Sequence, residues 1–130
     1  MYTKLDDVKK ASNELLKLIR KFPDKSEYLS LLAELYFNYN QDKKGLQILD
    51  RILKAEPDNG FVHFYLADYY RSKKELKEAD RHTKEALVSD KIENGYKIQY
   101  ILKLILNPDT TLTSDSQLDN YMNLLMQKYS

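Results

Sequence analysis

The chain has two histidines, His63 and His82, and no cysteine. An imidazole does acid–base or metal work only where carboxylates or further nitrogens converge on it. His82 sits in the run Asp80-Arg81-His82-Thr83-Lys84-Glu85, which reads as a solvated helix face rather than a converging set. No glycine-rich phosphate loop and no nucleophile motif is present. The sequence therefore predicts no catalytic residue, no cofactor and no metal. Arg71, Lys73, Lys74 and Lys77 gather beside Tyr69 and Tyr70. Nucleic-acid binding calls for basic charge drawn out along a groove, with exposed rings to stack on bases. Here Glu75, Glu78 and Asp80 interleave, so the cluster reads as a solvated turn and no nucleic-acid partner is predicted.

Any other function must come from how the elements are arranged. The 130 residues are one domain's worth of chain, with 32% charged and 42% apolar residues. Lys+Arg at 21 against Asp+Glu at 20 gives a net charge of +1, which does not favour binding a charged polymer. No apolar run approaches the roughly 18 residues of a membrane span, and the first residues have no signal-peptide core. The absence of cysteine fits the cytosol and equally a segment of a longer exported protein.

Apolar spacing predicts helices over 5–21, 26–39, 43–55, 61–72, 75–89, 94–106 and a last one out to Tyr129. Thr3 can cap the first and Asp42 the third. Phe22-Pro23-Asp24 and Glu56-Pro57-Asp58-Asn59-Gly60 act as breaks, and Ser114 with Gln117 makes a capping box. The punctuation recurs after 34 residues: Leu32, Ala33 and Tyr36 fall on Leu66, Ala67 and Tyr70, and Leu53 on Leu87. A fixed period of this length marks stacked helical hairpins, with small residues where helices approach closely.

These residues resemble the tetratricopeptide repeat, a pair of helices A and B with the signature Trp-x-x-Leu-Gly-x-x-Tyr, then Ala-x-x-x-Phe, then Ala, then Pro. Leu29, Leu32, Ala33, Tyr36, Gly45, Leu49, Ile52 and Pro57 match in one repeat. His63, Leu66, Ala67, Tyr70, Ala79, Thr83 and Ala86 match in the next, with Lys91 in place of the proline. The resemblance implies one all-α domain, an antiparallel hairpin superhelix of about seven helices. It would comprise a lone helix B over 1–24, repeats over 26–59 and 60–93, and a degenerate third repeat or capping helix over 94–130. His63 then takes a bulky packing position and Tyr70 a core one. Residues 114–129 form either a displaced helix B, the reading favoured here, or a cover over the concave face.

By the same resemblance the chain is a non-catalytic scaffold whose helices A line a concave face for a peptide or partner protein. The face would present Glu27, Ser30, Glu34, Phe37 and Asn38; then Phe61, Phe64, Tyr65, Asp68 and Arg71; then Ile98, Gln99, Leu102 and Ile105. Phe37, Phe61 and Phe64 would form an exposed aromatic patch continued by Ile98, Leu102 and Ile105. Alternatively, a neighbouring helix covers this patch and the chain is a spacer or regulatory segment of a larger repeat protein. Chaperone-binding relatives carry a cationic clamp for a C-terminal carboxylate. Its counterparts here are Ser30, Glu34, Tyr65, Gly95 and Gln99, so a chaperone tail is not the expected ligand. The first helix, a helix B with no helix A before it, would expose an apolar edge. That edge is a natural cap, a junction within a longer array, or a site of self-association.

Overall fold

The computed structural model describes residues 4–127, with seven α-helices and no strand among them. They are α1 (Lys4–Lys21), α2 (Ser26–Asn38), α3 (Asp42–Ala55), α4 (Gly60–Ser72), α5 (Leu76–Leu87), α6 (Asn94–Ile105) and α7 (Asp115–Gln127). The packing of neighbouring helices in pairs fits a helical-repeat solenoid. Thr3 and Tyr129, expected at the two ends, lie outside the described residues. The chain divides into two compact units, Met1–Pro57 and Asp58–Ser130.

In the first unit α1 packs on α2, and α2 on α3. Val8, Ser12 and Ile19 of α1 are buried, as are Leu29, Leu32 and Ala33 of α2 and Gly45, Leu49 and Ile52 of α3. Gly45 meets the half-buried ring of Phe37 so closely that a Cβ there would lie 2.7 Å from it. Asp42 does not cap α3. It is the first helical residue, and Gln41 stands at the cap without a side-chain bond.

In the second unit α4 packs on α5, and α7 packs on both α5 and α6. Phe64, Ala86, Leu87, Ile92, Tyr100, Ile101, Leu104, Tyr121 and Leu125 form one core. Gly60 opens α4 where the buried Ile92 leaves no room for a Cβ. Asn59 caps the same helix, its Oδ1 accepting from Val62 N at 3.1 Å. The capping box of α7 is formed both ways: Ser114 N donates to Gln117 Oε1 at 3.0 Å, and Gln117 N to Ser114 Oγ at 3.1 Å. Such pairs satisfy amides that a helix start leaves unbonded.

The repeat is also visible in the backbone. Asn40 and Lys74, at matching places in the α2–α3 and α4–α5 turns, have φ of 63° and 61°. Gln41 N donates to Tyr36 O at 2.8 Å, and Glu75 N to Tyr70 O at 2.9 Å. Asn40 N and Lys74 N reach back to Phe37 O and Arg71 O. This is the Schellman ending, which needs one left-handed residue. Asparagine tolerates that region, whereas lysine is strained there by its Cβ. Lys74→Gly is therefore expected to raise stability by about 0.5–1 kcal/mol, read as an upward shift of the thermal midpoint.

Candidate interaction face of the second unit

The candidate face is built on α4 and α6. Phe61 and Tyr65, one helical turn apart, stand 54% and 39% exposed on α4. Tyr96 on α6 is 44% exposed, and its ring meets Phe61 edge-on at 5.2 Å between centroids. Gln99 and Lys103 follow Tyr96 at helical spacing. Asp68, Tyr96, Gln99, Tyr100 and Lys103 line a shallow hollow of about 190 Å³.

Beneath this surface lies a polar lock. Arg71 is 5% exposed. Its Nη1 donates to Tyr100 Oη at 3.0 Å and lies 3.4 Å from Asp68 Oδ1, while Nη2 donates to Thr83 Oγ1 at 3.0 Å. Arg71 Nε has no partner. The Tyr100 hydroxyl donates to Asp68 Oδ1 at 2.6 Å, and Lys103 Nζ reaches Asp68 Oδ2 at 3.0 Å. Burial, then the Asp68 carboxylate, pushes the Tyr100 phenol well above its usual range, so it stays a donor. Asp68 thus ties α4 to α6, with the Lys103 contribution small because that pair is exposed.

The expected site residues separate on this geometry. Phe61, Tyr65 and Asp68 share the face. Phe64 does not: it is 2% exposed and stacks on Tyr100 at 4.0 Å between centroids. Arg71 is likewise a buried brace rather than a surface contact. At roughly 100° per residue, Ile98, Leu102 and Ile105 lie roughly 150° round α6 from Tyr96, so they do not extend the aromatic patch. Ser30, Glu34 and Asn38 are exposed on α2 in the first unit, where Phe37 turns inward over Gly45. Tyr96 and Lys103 were missed, although their 96–99–103 spacing with Gln99 was a readable helical stripe. A larger hollow of about 510 Å³ lies in the first unit, lined by Lys9, Tyr36, Asp42, Lys43 and Lys44 among others.

His82 is not on a solvated face. It is 4% exposed, 3.0 Å from His63 between Nδ1 atoms, with Tyr70 stacked on its ring. Arg81 Nη2 can only donate, so His82 Nε2, 3.2 Å away, accepts and the His82 proton sits on Nδ1. That proton is donated to His63 Nδ1, leaving the His63 proton on Nε2. Burial, then the Arg81 charge, lowers His82 from 6.5 to about 4. A depressed histidine is neutral in the fold while the unfolded chain already takes up protons. Stability present above pH 6.5 is therefore lost as pH falls towards 4, by on the order of 2–3 kcal/mol. Urea unfolding across that range should show the loss, and His82→Leu should flatten it. Among the described residues no group of three or more His, Cys, Asp or Glu is placed to hold a metal ion, and no helix is long and apolar enough to cross a membrane.

No family model matches the chain, and no solved structure matches it. Over 55 residues, 42% of the chain, it is 29% identical to interferon-induced protein with tetratricopeptide repeats 2 of Cricetulus griseus. The match spans 12% of that longer protein. The chain is thus all-helical, built of paired helices, and similar over part of its length to a tetratricopeptide-repeat protein.

Proposed function

We propose that this chain is a non-catalytic protein-interaction module of the tetratricopeptide-repeat kind, and that the α4–α6 face takes an extended peptide segment of a partner protein. The observation that carries this reading is the exposure of Phe61, Tyr65 and Tyr96 on one braced face. Rings held on rigid helices bury much area at little entropic loss, which is why aromatics dominate binding hot spots. The ligand would be apolar or aromatic, with backbone groups able to meet Gln99. The face offers no unpaired cationic clamp, since the Lys103 ammonium is held by Asp68. The similarity to a repeat protein supports a protein partner in general terms.

A second reading, a spacer or regulatory segment within a larger repeat protein, is favoured by the small fraction of that longer relative the match spans. Selection from a displayed random-peptide library separates the two. Under the proposal, enriched peptides lose at least about thirtyfold in affinity when Phe61 and Tyr65 are both replaced by alanine. Failure to enrich any peptide, or equal binding by the double variant, would leave the spacer reading.

A further inference from the structure

The hollow of the first unit, about 510 Å³, lies among α1, the α2–α3 turn and the start of α3. Ligand sites commonly span about 300–1,000 Å³. Val8 of α1, which is buried, and Tyr36 of α2, which is half-buried, give it an apolar part. Lys9 of α1 and Lys43 and Lys44 in the first turn of α3 are exposed on it. Lys9 and Lys43 stand one repeat period apart, so equivalent helices bring the same residue type to the same hollow. Lys44 Nζ is held 5.7 Å from the centre of the Tyr36 ring. Among the described residues no carboxylate pairs with any of these three ammonium groups, whereas Lys17, Lys54, Lys84 and Lys103 each meet one. The lining sets three lysines against one aspartate, Asp42, so positive charge is in excess. Gln41 makes no side-chain cap bond, and the start of α3 adds positive potential of its own.

We propose that this hollow docks an acidic segment of a partner protein, its side-chain carboxylates meeting Lys9, Lys43 and Lys44 and an apolar side chain between them resting on Val8 and Tyr36. Charge complementarity selects this occupant. Unpaired ammonium groups gathered round one hollow repel each other until an anion lies among them. The lining holds no arginine, whose planar fork favours one fixed anion geometry. Lysine is a flexible point charge and accepts the varied carboxylate spacing of an acidic run. The three lysines lie on α1 and α3, so the surface shares no residue with the α4–α6 face, and it takes a different chemistry: acidic here, aromatic there. Exposed charges are screened by salt, so the contact is weak, with a Kd of about 10–100 μM at low ionic strength.

Titrating the peptide acetyl-Glu-Glu-Leu-Glu-Glu-amide into isotope-labelled protein tests this, since its blocked ends leave only side-chain carboxylates to bind. The expected result is saturable amide shifts at Lys9, Ser12, Asn40, Lys43 and Lys44, with none for the peptide in which glutamine replaces every glutamate. Lys9→Gln, Lys43→Gln and Lys44→Gln together should weaken binding at least about tenfold with the helical signal retained. Removing the same charge elsewhere in the unit, by Lys17→Gln, Lys21→Gln and Lys25→Gln, should cost less than about threefold. No shifts up to about 1 mM peptide, equal binding of the glutamine peptide, or equal losses in the two triple variants would overturn the proposal. So would binding of ATP or inorganic phosphate at these residues without binding of the peptide, which would make the occupant a small phosphate. None of these readouts depends on the α4–α6 face binding a peptide.

Discussion

Phe64→Ala is expected to lower the stability of the second unit by about 3–5 kcal/mol, and to abolish any binding by unfolding rather than by removing a contact. The ring is 2% exposed, stacked on Tyr100 at 4.0 Å and tilted against Tyr96 at 5.6 Å. Truncation removes that stacking and leaves a cavity between α4 and α6 that the braced helices cannot close. Chemical denaturation should show the midpoint falling at an unchanged slope. Phe61→Ala on the same helix should change stability by less than about 1 kcal/mol, because that ring already faces water. Equal, small effects of both substitutions would mean that α6 does not cover Phe64.

Arg71→Ala is expected to destabilise by a similar amount, about 3–5 kcal/mol. It removes a buried guanidinium together with its aliphatic stem, and takes away the donors that Tyr100 and Thr83 accept from. Arg71→Met isolates the charge. It keeps the stem, deletes the buried cation and its unbonded Nε, and should recover most of the loss, since desolvating an arginine offsets much of what its bonds return. Thermal melts of both variants decide the matter. If methionine is as damaging as alanine, the charge itself holds α4 and α6 together.

Much of the helical framework was legible because its signals are local and repeated. Ala33, Ala67 and Ala79 recur at close approaches and are buried at 1%, 0% and 2%. Breaks at Pro23 and Pro57 and the Ser114–Gln117 box end or start helices by backbone chemistry that needs no tertiary knowledge. Which flank of a helix its neighbour covers was harder to read. Phe64 and Phe61 are both aromatic and adjacent in the pattern, and only the docking of α6 separates them. His82 is different, because the signal was there to use. With Ala79, Thr83 and Ala86 it falls on the inward stripe of α5, and the charges beside it drew attention from that spacing. Lys97 had no signal at all: it is fully buried, with its ammonium donating to Ser89 O at 2.7 Å just past the end of α5, a place where a cation meets the helix dipole.

The central claim is that the exposed rings of α4 and α6 form the working surface of the second unit. Titrating a library-selected peptide into isotope-labelled protein and following the amide NMR signals tests it most directly. The account predicts shifts concentrated at Phe61, Tyr65, Tyr96, Gln99 and Lys103, with Ile98 and Leu102 little changed. Shifts confined to α2, or to the Ile98–Leu102 flank of α6, would contradict it.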